Sequence, residues 1–228
     1  MNWRWLFYEA NIAWVRGLLL LVTSRDVQGR ENVPKTGPLI LTSNHLNNAD
    51  PPILTGSFPR QISWMTKAEW FKTPLVGWMF KQGGMIPVRR FEADLQALRQ
   101  SQEVLKQGRV LGMFPEGTRS KNKQLKQGEP GSALIALRSG APVVPVAIWG
   151  TENVRLPRDI IGRTRAHIRI GKPYTLPRAG RKISREDVEQ GTRLIMNKIA
   201  ELLPEKYRGP YADTEPAPEA GTTASAEN

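Results

Sequence analysis

Pro38-Leu39-Ile40-Leu41-Thr42-Ser43-Asn44-His45-Leu46-Asn47-Asn48-Ala49-Asp50-Pro51-Pro52 joins an apolar run, a polar loop and a proline pair. Residues 38–42, bounded by Gly37 and by Ser43-Asn44, predict a buried strand. His45 then falls just past a strand end. Asp50, followed by Pro51-Pro52 and Ile53-Leu54, predicts the cap of a helix whose first residue is proline. The intervening loop lets His45 fold back toward Asp50, whereas two positions five apart in a regular helix lie about 140° apart around its axis. An imidazole titrates near pH ~6.5 and takes a proton from a hydroxyl, while a neighbouring carboxylate keeps its other nitrogen protonated. His45 as general base with Asp50 as its orienter is one reading. A structural histidine hydrogen-bonded in a turn is the other.

Working outward, residues 62–66 (ISWMT), 83–90 (GGMIPVRR), 110–114 (VLGMF), 142–149 (PVVPVAIW) and 166–170 (AHIRI) read as further strands. The run 142–149 is apolar throughout, which implies burial on both faces. Between the strands, residues 67–71 begin a helical stretch broken at Pro74. Residues 92–107 predict a helix with acids in its first turn and Gly108 to stop it. Residues 132–138 are also helical, and Ser184 with Asp187 resembles a capping box that opens a helix ending at Pro204. Strands alternating with helices over one core predict a single α/β domain spanning residues 25–208. Its polar clusters fall after strand ends, where such folds place their ligands. His167, inside the last strand, reads as a structural or surface residue.

The 228-residue chain suits one core and has no cysteine, which excludes a thiolate nucleophile, a disulfide framework and a cysteine zinc site. With only two histidines, a metal centre is not expected. The net charge is +12, and the tail from Gly209 holds four acids (Asp213, Glu215, Glu219, Glu227) and no Lys or Arg. Residues 1–208 therefore carry +16 (+12 overall, −4 in the tail), a charge that attracts nucleic acid or an anionic membrane surface. No nucleic-acid-binding motif is present. Residues 1–24 contain Trp3, Trp5, Tyr8 and Trp14, but Arg4, Glu9, Asn11 and Arg16 break the run, so a spanning helix is not expected. They read as a helix in the membrane interface or as one covering the core. Residues 209–228 have the composition of a disordered acidic tail.

After the strand at 110–114 comes Pro115-Glu116-Gly117-Thr118-Arg119-Ser120. Glycine permits a tight turn, the hydroxyls offer hydrogen bonds, and Arg119 offers a planar fork suited to phosphate. Glu116 and Arg119 read as ligand-facing, while Lys121, Lys123 and Lys126 read as a solvated basic loop. Trp70, Phe71, Trp78 and Phe80 fit a core or the lining of an acyl-chain tunnel. Residues 153–165 fit a loop dipping into headgroups or a plain surface loop.

Asn44-His45 with Asp50 resembles the NHx4D motif of the glycerolipid acyltransferases, the family of 1-acylglycerol-3-phosphate acyltransferases. Three further blocks agree in order and spacing: residues 84–90 (GMIPVRR), 114–120 (FPEGTRS) and 143–147 (VVPVA). The resemblance covers residues 35–175 and implies a single mixed-sheet domain of that family's fold. It also implies acyl transfer from acyl-CoA or acyl carrier protein to the sn-2 hydroxyl of lysophosphatidic acid, giving phosphatidic acid, with no other cofactor. The alternatives are another acceptor, glycerol 3-phosphate or a different lysolipid, or a non-enzymatic membrane lipid-binding protein. Carried over by position, His45 is the base, Asp50 its orienter, and Glu116, Gly117, Thr118 and Arg119 the block that holds the acceptor phosphate. Arg90 matches an arginine also assigned to the acceptor, and Lys67 a lysine near the thioester oxygen. Where many members carry an acid before that arginine, this chain has Arg89. A lysophospholipid acceptor implies a membrane-associated protein on the cytoplasmic face.

Overall fold

The computed structural model describes residues 23–89, 94–154, 164–177 and 182–214. In chain order the strands are β1 (Thr23–Gln28), β2 (Leu39–Ser43), β3 (Ile62–Lys67), β4 (Ile86–Val88), β5 (Val110–Met113), β6 (Val143–Trp149) and β7 (Thr164–Ile170). The helices are α1 (Asp50–Ser57), α2 (Pro74–Gln82), α3 (Leu95–Lys106), α4 (Gly131–Ser139) and α5 (Arg185–Ala200). The strands form one sheet in the order β1-β7-β6-β2-β5-β3-β4. Pairing is parallel except between β6 and β7, so the sheet is mixed.

The central strands β2, β5 and β6 are apolar and buried along nearly their whole length because helices or loops cover both faces. Alternation then sorts their side chains. Ile40, Leu111, Met113, Val143 and Ala147 pack with α3, α4 and α5 on one face. Leu39, Leu41, Val110, Val144, Val146 and Ile148 pack with Ile53 and Leu54 of α1 on the other. Burial of this kind contributes about 25 cal/mol per Å² of apolar surface, and it fixes β2 at the sheet centre with its C-terminal end aimed at the loop 44–49.

Several elements differ from expectation. The helical stretch expected from residue 67 is a 3-10 turn, residues 68–72, that does break before Pro74; the unexpected part is that Pro74 opens a new helix, α2, where its missing N–H costs nothing. Strand β1 begins at Thr23, so residues 23 and 24 belong to the sheet and not to an N-terminal helix. The first turn of α3 holds no acid; Asp94 is its N-cap and accepts from Ala97 N at 2.9 Å. Ser184 and Asp187 do form the capping box of α5. Structure continues past Gly209: residues Gly209–Tyr211 form a 3-10 turn, Tyr211 packs on the core, and the buried Arg208 donates to Leu203 O and Thr214 O. The expected helix over residues 1–22, residues 155–163 of the expected headgroup loop, and tail residues 215–228 lie outside the described residues. No helix among the described residues is long and apolar enough to cross a membrane.

Candidate active site

His45 stands where β2 leaves the sheet, beside the end of β5, since Thr42 pairs with Met113. Its Nδ1 lies 2.8 Å from Asp50 Oδ2, the pairing expected from the loop between them. An ionised carboxylate only accepts hydrogen bonds, so the pair holds the proton on Nδ1 and leaves the Nε2 lone pair free. Asp50 does not cap the helix it was expected to cap. It is the first residue of α1, and Ala49 occupies the cap with no side-chain bond. Oδ2 is instead occupied by three donors: the His45 ring and the main-chain N–H groups of Leu46 and Asn47, both at 2.7 Å. The carboxylate thus folds the loop and orients the His45 ring with the same oxygen. The chain spacing of five carried this pairing; the two backbone donors have no sequence signature.

The rest of the loop is clamped from elsewhere. Asn44, buried, donates from Nδ2 to Ile148 O and accepts at Oδ1 from Ile148 N, both at 2.8 Å, so it extends the β2–β6 ladder with its side chain. Asn47 donates to Val154 O at 3.1 Å and accepts from Ala49 N at 3.0 Å. The backbone of His45 is gripped on both sides: its N–H donates to Glu116 Oε1 at 2.7 Å, and its carbonyl accepts from Ser120 N at 2.8 Å.

Glu116 is therefore engaged inside the loop, both of its carboxyl oxygens accepting from main-chain N–H groups. The carboxylate is buried, with Oε2 accepting from Lys126 N at 3.1 Å. Burial pushes the carboxyl up to about 7, against the main-chain N–H groups of His45 and Lys126, which pull the other way. Lys126 is not the solvated lysine expected: its Nζ donates to Thr118 Oγ1 at 2.6 Å and to Glu116 O at 3.4 Å. Lys121 and Lys123 are exposed, as expected. Gly117 takes φ +68, a left-handed turn that glycine adopts without strain.

Phe114 is the functional neighbour that sequence reasoning missed. Its ring stacks on His45 (centroids 4.0 Å apart, planes at 18°) and, on its other side, on Trp64 (4.8 Å, 8°). Trp64 is in turn held by an Nε1 bond to Thr55 Oγ1 at 2.8 Å. The hints were its position, the last residue of the run 110–114 before Pro115, and its place as the first residue of the block 114–120.

A cavity of about 530 Å³ opens beside the pair. His45, Phe114 and Gly117 line one part, Met65, Leu98, Met113, Leu134 and Ile135 give it an apolar wall, and Lys67, Arg89 and Arg138 also line it. Its size and mixed lining suit a ligand with a long apolar part and a charged end. Lys67 is half-exposed and ion-paired with Glu69 at 3.2 Å. Arg119 is exposed and not part of the lining, and Arg90 lies outside the described residues. His167 pairs with Asp26 at 3.2 Å and stacks on Trp149, on the strands β1, β7 and β6, as the strand residue expected. Among the described residues no cluster of His, Asp or Glu is placed to hold a metal ion.

A family model described as Acyltransferase matches residues 24–149. The chain belongs to this acyltransferase family. A chloroplastic 1-acyl-sn-glycerol-3-phosphate acyltransferase of Brassica napus is 33% identical over 132 residues, which is 57% of this chain and 38% of that protein. The 1-acyl-sn-glycerol-3-phosphate acyltransferase of Bacillus subtilis is 28% identical over 178 residues, 77% of this chain and 86% of that one. The crystal structure of the 1-acyl-sn-glycerophosphate acyltransferase PlsC from Thermotoga maritima superposes with a TM-score of 0.68 at 26% identity, over 88% of this chain and 83% of that chain. This chain thus spans less than two fifths of the Brassica protein and most of the two bacterial ones. The four acyltransferase blocks all begin inside the matched residues, and the His45–Asp50 pair lies within them.

Proposed function

We propose that this acyltransferase moves a fatty acyl group from a thioester of coenzyme A or acyl carrier protein to the sn-2 hydroxyl of lysophosphatidic acid. His45 Nε2 takes the proton of the acceptor hydroxyl as its oxygen attacks the thioester carbonyl. The tetrahedral intermediate collapses, the carbon–sulfur bond breaks, and the imidazolium returns the proton to the leaving thiolate. Asp50 offsets the imidazolium charge throughout. A positioned base supplies ~10²- to 10⁴-fold, and alignment of the two substrates supplies much of the rest.

The observation that carries this reading is the His45–Asp50 pair on the wall of an apolar cavity with cations in its lining. Gly117, Thr118, Arg119 and Arg90 are proposed to receive the acceptor phosphate, with Lys67 near the thioester oxygen. Membrane association on the cytoplasmic face follows from the acceptor, and a basic body supports it, each residue near an anionic surface adding ~1 kcal/mol. The test is radiolabelled acyl-CoA or acyl carrier protein offered with lysophosphatidic acid, glycerol 3-phosphate, an amino lysolipid or water alone. Phosphatidic acid as the main product is expected. Preferred acylation of glycerol 3-phosphate or the amino lysolipid would replace the acceptor, and thioester hydrolysis alone would remove the transferase assignment.

A further inference from the structure

Among the described residues, every large hydrophobic side chain that is exposed lies between Trp70 and Leu95. Helix α2 is apolar yet buries only Gly77. A Cβ at Gly77 would stand 2.3 Å from Phe71 O, so the helix is pressed by its glycine against the preceding 3-10 turn. Leu75, Trp78 and Met79, spaced by three and four, share a face. They are 68%, 46% and 36% exposed, and Trp70 in the turn is 50% exposed. A patch of this kind on a folded domain marks a surface that meets something apolar.

The charge around the patch says what that is. From residue 67 to residue 95 there are five cations, Lys67, Lys72, Lys81, Arg89 and Arg90, against three acids, Glu69, Glu92 and Asp94, the first of them paired with Lys67. Exposed aromatic and aliphatic side chains in a stretch of net positive charge suit the boundary of an anionic bilayer. The patch also continues into the substrate cavity. Lys67 immediately precedes the 3-10 turn and lines the cavity, as do Arg89 and Leu95, the last 63% exposed. Strand β1, through which residues 1–22 join the fold, is at the other edge of the sheet from β4, six strand spacings of about 4.8 Å away.

We infer that the face formed by Trp70, Leu75, Trp78 and Met79 docks on an anionic lipid bilayer and seats the cavity mouth at the lipid, an inference that rests on a lipid substrate for the site above. Absence of cysteine makes the test direct. The full chain carrying Leu75→Cys is labelled with an environment-sensitive dye and titrated with vesicles of phosphatidylglycerol and phosphatidylcholine, or of phosphatidylcholine alone. A blue shift on the anionic vesicles that is weaker on the neutral ones is expected. No shift on either overturns the docking. A dye already shielded before lipid is added also overturns it: shielding that grows with protein concentration assigns the face to a second copy, and concentration-independent shielding to another segment of the same chain. In a second arm, Trp70→Ser/Leu75→Ser, with its fold checked by circular dichroism, should sediment with anionic vesicles about tenfold more weakly. Its turnover of a short-chain acceptor dissolved as monomer should match the unsubstituted chain, while turnover of vesicle-borne acceptor falls; unchanged sedimentation overturns the inference. If the acyl-transfer reading itself fails, neither acceptor turns over, and the dye still decides the docking.

Discussion

The main-chain N–H of His45 donates to Oε1 of Glu116 at 2.7 Å, across 71 positions of sequence, so the loop that carries His45 hangs from a buried carboxyl group on the neighbouring strand end. Glu116→Gln keeps the shape but turns one acceptor into a donor facing a main-chain N–H. The orphaned group costs about 1–3 kcal/mol, and a His45 displaced by its loosened loop should lower kcat by up to ~10²-fold. The pH dependence has a definite sign. With the folded carboxyl near 7 and the unfolded one at 4.5, the native state holds a proton that the unfolded chain has lost across that window. Stability from this group is therefore complete below pH 4.5 and falls as pH rises to about 7, by on the order of 3 kcal/mol. Glu116→Gln lacks that decline. Urea denaturation from pH 4.5 to 8 checks it, and parallel curves for the two proteins would contradict the buried titration.

His45→Ala should reduce turnover by ~10²- to 10⁴-fold, with the fold kept but less stable, because Asp50 loses one of its three donors and Phe114 its stacked neighbour. Asp50→Asn is the sharper probe. The amide oxygen can still accept from Leu46 N and Asn47 N, so the loop persists, but the charge opposite the forming imidazolium is gone. Its kcat should fall ~10²-fold or more with KM for both substrates little changed. Asp50→Asn turning over at the wild-type rate would remove Asp50 from the chemistry and leave it a loop tie.

What the residues revealed in advance was what they encode locally. Strands β2, β5 and β6 are continuous apolar runs, and His45 and Asp50 are close in sequence, so pattern and chemistry both pointed to them. Strand β1, Thr-Ser-Arg-Asp-Val-Gln, escaped because an edge strand paired on one side needs no apolar run. Pro74 stops a helix or starts one equally well, and only the packing of Gly77 on Phe71 decides. Glu116 looked like a ligand because its partners are main-chain N–H groups, which every residue has. Lys126 looked solvated for a different reason: Thr118 Oγ1, eight residues away, reaches it only once the loop has closed.

Phe114 holds one face of the His45 ring while Trp64 backs it. Phe114→Leu should free that ring to rotate, costing roughly 0.5–1.5 kcal/mol of stability beyond the lost area and lowering kcat about tenfold with KM unchanged. Phe114→Tyr, which keeps the stack, should restore turnover. Steady-state kinetics of the two variants decide it, since a leucine variant as active as the tyrosine one would leave the stack without a catalytic consequence.

Arg119 is exposed, and no ion pair engages it among the described residues, as a group awaiting an anion would be. Arg119→Ala should raise KM for the phosphorylated acceptor with kcat nearly unchanged, because a phosphate remote from the reacting carbonyl is bound alike in ground and transition states. The same loss toward an acceptor without phosphate would show that Arg119 acts on something else.

Asn44 supplies both halves of a two-bond bridge to Ile148, just beyond the last β2–β6 pair, Ser43 with Val146. Asn44→Ala strands Ile148 N and O in a dry site, for about 1–3 kcal/mol at any pH. Asn44→Asp behaves differently. Only a protonated carboxyl can still donate to Ile148 O, so burial and that carbonyl hold its folded form protonated well above the usual carboxylate range. The aspartate variant should therefore be closer to wild type at pH 5 and lose stability steadily as pH rises, the opposite of what a salt-bridged aspartate does. Urea denaturation of wild type and both variants at pH 5 and pH 8 separates the two behaviours. An aspartate variant with the same deficit at both values would mean that β2 shifts to admit water, and His45 with it, which a parallel fall in turnover at both pH values would report.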